Sequence, residues 1–296
     1  MAVEVDENIE AAMNQALATQ RSEKNSPTPS SIVVKPYVAP KRKSRQINSA
    51  AQENRDRPAL RIEYKLRLSS GICSFLAKEF VQHVLYLRQQ IPNTIQDLRL
   101  WCVEQERLRQ LPDPKTGKKR ARRLLSGPQK QVPKLVHQMD LLLETLESVF
   151  TDSSVVRLVL LFGNSHLAAK EIYVLHFDNF LVCDREENLK LHNACARKMA
   201  RTWLQHQSTS VPQHALRKTR LHVFVEAPAE REFANMRPKP ALRTAQLFGN
   251  NKRKPPFRSE VEFCSRDSNQ TKCTSTDHLV WYHFTEILGG LKFRIS

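Results

Sequence analysis

No apolar run in this chain of 296 residues reaches the ~18 that a membrane-spanning helix needs, so no transmembrane segment is expected. The first residues, MAVEVDENIEAAMNQ, are acidic and lack the apolar core of a signal peptide. No two of the six cysteines form a CxxC pair, and most of them sit among apolar neighbours, as reduced, partly buried thiols do. Cys264 and Cys273 bracket a polar loop and leave a disulfide or metal pair open, but no His/Cys cluster at zinc spacing surrounds them. The motifs GxSxG, HExxH and GxxxxGK[ST] are all missing. These absences remove the common routes to hydrolase, metalloenzyme and nucleotide-binding chemistry. No catalytic residue, cofactor or metal site is assigned.

What is abundant is positive charge. The formal net charge is +17, which first suggests nucleic acid. The charge is concentrated in PKRKSR at 40–45, KTGKKRARR at 115–123 and NKRK at 251–254. These runs are largely without aromatics, so the stacking platform of single-strand binders is absent there. Solubility, nuclear import or attraction to an acidic partner explain them equally well. Lys41, Arg42, Lys43 and Arg45 fit a nuclear localisation signal.

Residues 1–58 are polar and charged with no periodic apolar pattern, and read as a disordered tail. The folded domain is expected over 59–296. LRIEYKLRL at 60–68 alternates at strand period. A helix follows from about residue 70, with Leu76, Phe80, Val84, Leu87 and Ile91 as its core stripe and Pro92 closing it. A second helix covers 94–109, and a mobile basic loop covers 110–130, where Pro112, Pro114, Gly117, Gly127 and Pro128 interrupt any regular element. Leu135, Met139, Leu142, Leu143, Leu146, Val149 and Phe150 then mark a helix over 131–150.

VVRLVLLF at 155–162 is continuously apolar and suits a central strand covered on both faces. EIYVLHFD at 171–178 is also strand-like. The break between them holds one glycine, Gly163, and leads into a strand rather than a helix. A phosphate cradle needs converging backbone N–H groups and a helix N-terminus, so the break is a hairpin. A helix over 187–206 buries Cys195, Ala196, Met199 and Trp203 on one face and shows Asn193, Arg197, Ala200, Arg201 and Leu204 on another. Asp184, Glu186 and Glu187 suit its N-terminal dipole. Strands follow at 221–227, 259–265 and 278–284, with 229–258 irregular and GGLKFRIS a last extended piece. His278 and His283 fall on opposite strand faces, which makes them poor co-ligands.

QHVLYLRQQIP (82–92), LLETLESVFTDSSVVRLVLLFGNSHLAAKEIYVLHF (142–177) and HLVWYHFTEILGGLKFR (278–294) together resemble the comet family. Its members are HORMA-like and bind the spindle-checkpoint protein Mad-two. The resemblance implies an α+β fold: a mainly antiparallel sheet, three helices on one side, and a C-terminal safety belt closed on the chain's own segment near 287–295. It implies a non-enzymatic adaptor that recognises closed Mad-two and presents it to a Pch-two-type AAA+ ATPase, silencing the spindle checkpoint in nucleus and cytoplasm, at the spindle or kinetochore. It places the partner on the helix over 187–206, through Asn193, Arg197, Ala200, Arg201 and Leu204, and on the end of the first helix, at Leu87 and Arg88. Leu87 and Ala200 depart from the family pattern. A basic chromatin-binding protein and a meiotic chromosome-axis HORMA protein are the alternatives.

Overall fold

A computed structural model describes residues 59–110, 127–152, 155–177, 180, 189–210, 216–247, 256–265 and 278–291. Eight strands are present there: β1 (Leu60–Tyr64), β2 (Arg157–Gly163), β3 (Ala169–Phe177), β4 (Arg220–Pro228), β5 (Met236–Lys239), β6 (Phe257–Ser265), β7 (Leu279–Phe284) and β8 (Leu288–Gly289). The helices are α1 (Ser70–Leu87), α2 (Ile95–Gln110), α3 (Val132–Asp152), α4 (Leu189–Ser210) and the single turn α5 (Thr244–Leu247). No described helix is long and apolar enough to cross a membrane.

The strands form one sheet in the order β1-β6-β3-β2-β4-β7-β5, with β8 also on β4. Most pairings are antiparallel, whereas β6 lies parallel to both β1 and β3. The apolar run at 158–162 becomes β2, the middle strand, and both of its faces are buried. Leu158, Leu160 and Phe162 join the main core, while Val159 and Leu161 join a smaller cluster with Ile172, Val174, Phe224, Leu247 and Trp281. β2 and β3 form the hairpin expected from the sequence, with a register shift at Phe162/Gly163. A Cβ on Gly163 would stand 2.5 Å from the Ala168 carbonyl oxygen, so the turn closes only on glycine.

Side-chain period explains the helices. In α1, Ile72, Leu76, Phe80 and Val84 repeat every four residues beside Cys73, Ala77, Val81 and Leu85, and all are buried. Ser69 caps the helix by accepting the Ile72 N–H at 3.3 Å. At the start of α2 the Thr94 hydroxyl accepts the Asp97 N–H at 3.2 Å and donates to its carboxylate at 2.7 Å. α3 buries Leu135, Met139, Leu142, Leu146, Val149 and Phe150, the stripe read from the sequence. α1, α3 and α4 pack on one face of the sheet as three long helices, with α2 against α3; α5 lies on the other face through Leu247. At the centre Phe80, Phe162, Tyr173 and Trp203 meet ring to ring, the closest pair being Phe80–Trp203 at 4.7 Å. Each such side chain contributes on the order of 2–3 kcal/mol by burial.

The structure departs from the sequence reading at the end of the first helix and over 229–258, and the loop read over 110–130 gives way to a 3-10 turn at Gln129–Gln131. α1 ends at Leu87, not at Ile91. Gln89 takes a left-handed φ of 53°, its N–H bonds to the Tyr86 carbonyl, and the Gln90 N–H reaches back to the Leu85 carbonyl at 2.8 Å. That is a Schellman stop with glutamine in the position glycine usually fills. Leu87 therefore leaves the core stripe and is 36% exposed. The stretch 229–258 is also more regular than expected: it holds β5, α5 and the start of β6. β5 carries Pro238 and is the sheet's edge, where a missing N–H costs no ladder bond. The tail 1–58, the loop residues 111–126, the acidic cluster 184–187 and Cys273 lie outside the described residues. The described cysteines Cys73, Cys102, Cys195 and Cys264 are thiols.

Candidate partner-binding face

α4 is anchored along one side only. Cys195, Met199 and Trp203 enter the main core. The Tyr64 hydroxyl donates to the Cys195 carbonyl at 3.3 Å, and burial raises that phenol's pKa well out of the physiological range. Lys198 donates to the Glu63 carbonyl and lies 5.3 Å from the Tyr64 ring centroid. His192 stacks on Phe75 at 5.2 Å. Lys198 is thus committed to holding α4 on β1.

The outward flank of α4 is chemically different. Asn193, Arg197, Arg201 and Leu204 are exposed and Ala200 is half-buried. Four-residue spacing adds Leu189 to the same strip, one turn before Asn193. Leu189 is 64% exposed and Leu204 is 44% exposed. The sequence reading missed Leu189, although its position four residues before Asn193 was the available signal. No Asp or Glu occurs anywhere in α4. No ion pair joins Arg197 or Arg201 to a described residue. The strip is therefore two guanidinium groups set between apolar side chains, a composition that suits a partner surface better than a solvated helix.

α1 packs along the inner side of α4. Phe80 meets Trp203, and Leu87 lies about two turns beyond Phe80 on the same side of α1. Leu87 and its neighbour Tyr86 are exposed there. Arg88, expected beside Leu87 on the partner face, instead turns inward. It is 6% exposed, donates through Nε to Glu171 at 2.8 Å, and makes a second bond from its terminal nitrogen to the same carboxylate. Tyr173 donates to Glu171 at 2.9 Å. Burial works against the charge on Arg88, but the hydrogen bonds and field of Glu171 outweigh it and raise its pKa. Burial, then Glu171, raises the Tyr173 phenol. Arg88 supports the helix end from beneath rather than meeting a partner.

No group of three or more His, Cys, Asp and Glu side chains among the described residues is arranged to hold a metal. Three histidines do gather on the opposite face of the sheet. His222 and His283 stack at 5.8 Å, His283 stacks on Phe224 at 4.4 Å, and His166 meets Phe224 edge-on. Burial, with Lys239, Arg237 and the other imidazoles nearby, holds His283 at about 4, and burial also lowers His222. His222 and His283 are thus neutral packing groups at neutral pH, away from the strip on α4. Lys41, Arg42, Lys43 and Arg45 lie outside the described residues.

Among curated proteins, none matches the chain. The model of the p31comet family, described as Mad1 and Cdc20-bound-Mad2 binding, matches residues 37–240. That span covers more than half of the sequence and includes α1, α4 and the central strands. The chain belongs to the p31comet family of Mad1 and Cdc20-bound-Mad2 binding proteins.

Proposed function

We propose that this protein is a non-enzymatic adaptor that grips the closed conformer of Mad2 with the outward strip of α4 and the end of α1. It then presents Mad2 to a Pch-two-type AAA+ ATPase, which opens it, disassembles checkpoint complexes and silences the spindle checkpoint. The observation that carries this reading is the strip itself. Arg197 and Arg201 stand without a carboxylate partner among the described residues, beside Leu189, Ala200 and Leu204, on a chain of a Mad2-binding family. Arginine with apolar neighbours is the usual material of an interface hot spot. The ATP chemistry belongs to the ATPase, and the adaptor supplies recognition. Lys41, Arg42, Lys43 and Arg45 supply nuclear entry, and the protein works in nucleus and cytoplasm and at the spindle.

The test is size-exclusion co-elution with Mad2 locked closed and with Mad2 locked open, using the native chain and an Arg197→Glu, Arg201→Glu variant. Co-elution with the closed form alone, lost in the variant, is expected. A complex with neither form removes the function. In a second arm, the hexameric ATPase and ATP are added; conversion of closed to open Mad2 should require this chain. Conversion at the same rate without it refutes the adaptor role.

A further inference from the structure

Behind the partner face, one buried side chain joins three separate segments. Gln90 is 1% exposed and follows the left-handed Gln89 that stops α1. Its amide nitrogen donates to the Arg88 carbonyl at 3.0 Å and to the Leu216 carbonyl at 3.2 Å. Its amide oxygen accepts the Thr219 N–H at 3.0 Å. Its backbone carbonyl accepts the Leu291 N–H at 2.6 Å, and its own N–H returns to Leu85. Every polar group of the residue is engaged, the pattern of a fully satisfied buried junction.

The C-terminal segment lies directly on this junction. β8 pairs with β4 at Leu221↔Leu288 and Arg220↔Gly289. The Gly290 N–H then donates to the Thr219 carbonyl at 2.8 Å. A Cβ on Gly290 would stand 2.4 Å from the Gln90 amide oxygen, so the segment lies flat only because glycine is there. Leu288 and Leu291 are buried. Beneath the segment a small, mainly apolar gap is lined by Leu85 of α1, Leu135 of α3 and Phe162 of β2 together with Leu288. The segment thus touches the end of α1 from behind, three residues from Leu87.

We infer that Gln90 is a positioning residue for partner binding: it transmits the seating of Leu288–Leu291 to the end of α1 and so sets Tyr86 and Leu87. This rests on the reading of α1 and α4 as the Mad2 face. Lifting the segment leaves the buried Gln90 carbonyl without its donor and opens space above its amide. The residues between Leu87 and Gln90 include the strained Gln89, which is where the helix end gives way. Partner affinity therefore depends on a segment seated behind the end of α1.

The test compares the native chain with Gln90→Met, Gly290→Val and a chain ending at residue 287, each confirmed folded by circular dichroism. Affinity for locked-closed Mad2 is measured, together with amide exchange over 86–91. All three changes should weaken binding by roughly tenfold and speed exchange over 86–91. A peptide of residues 286–296 added in trans should restore the shortened chain, but not the shortened chain that also carries Gln90→Met. Native binding by folded variants, or equal rescue with and without Gln90, overturns the inference. If the shortened chain does not fold, Gly290→Val carries the same comparison in full length. If the native chain itself ignores Mad2, the functional reading fails, and exchange over 86–91 still decides the coupling: unchanged exchange in the variants refutes it.

Discussion

Removing Glu171 should cost far more than removing the ion pair it belongs to. Arg88 and Glu171 are both almost fully buried and bonded twice to each other, with Tyr173 donating to the same carboxylate. Glu171→Leu leaves a guanidinium in the core with no counter-charge, and Arg88→Met leaves a carboxylate there. Each single change should lower stability by about 3–5 kcal/mol. The double variant leaves no uncompensated charge from this pair, so it should lie within about 2 kcal/mol of the native chain. The coupling is then several kcal/mol, read from urea unfolding of all four proteins with unchanged slopes. Additive single effects below about 1 kcal/mol each would show that water reaches the pair and that the account of Arg88 as a buried support is wrong.

Gln89→Gly should stabilise the chain by about 1 kcal/mol, because glycine takes the left-handed φ of 53° without strain; a lower melting temperature refutes the Schellman assignment. Gly163→Val should cost on the order of 2 kcal/mol, since its Cβ meets the Ala168 carbonyl oxygen, and urea unfolding reads it; a neutral result means the hairpin turn yields freely. Stability should also fall with acid. The folded chain holds His283 near 4, below the ordinary histidine value, and lowers His222. The unfolded chain therefore takes up more protons between about pH 6.5 and 4, and stability is full above that window and lost as pH falls through it. The His283 share is about 2 kcal/mol after allowance for its partial exposure, and His283→Phe should flatten the profile of stability against pH; an unchanged slope refutes the burial argument.

Periodicity made much of the fold legible. The continuous run at 158–162 announced a strand covered on both faces, and the stripe from Leu135 to Phe150 announced α3, because both patterns are set by burial alone. The inner face of α4 followed in the same way from Cys195, Met199 and Trp203. What stayed hidden depends on partners far along the chain. Nothing near Arg88 announces that Glu171 will draw it inward, and nothing in QQIP announces a left-handed glutamine. β5 was missed because Pro238 and its charged neighbours argue against a strand everywhere except at a sheet edge. The resemblance pointed to α4 and the end of α1, but residue by residue it placed Arg88 on the partner side, where only a contact with β3 could have corrected it. Gln90 looked like one polar residue among several, and its role emerges only when Leu216, Thr219 and Leu291 converge on it.

The parallel seat of β6 between β1 and β3 governs when the protein becomes competent. β1 is made long before its neighbour in the sheet, which spans Phe257–Ser265. β2 and β3 join through a short hairpin and β4 follows once α4 is made, all while the ribosome is still working, but β1 must wait for a strand encoded nearly two hundred codons later. α4 in turn is tied to β1 through Tyr64 and Lys198. A chain that has not yet made β6 therefore holds α4 by its core side chains Cys195, Met199 and Trp203 alone, and gains the ties to Tyr64 and Glu63 only when the last partner of β1 arrives.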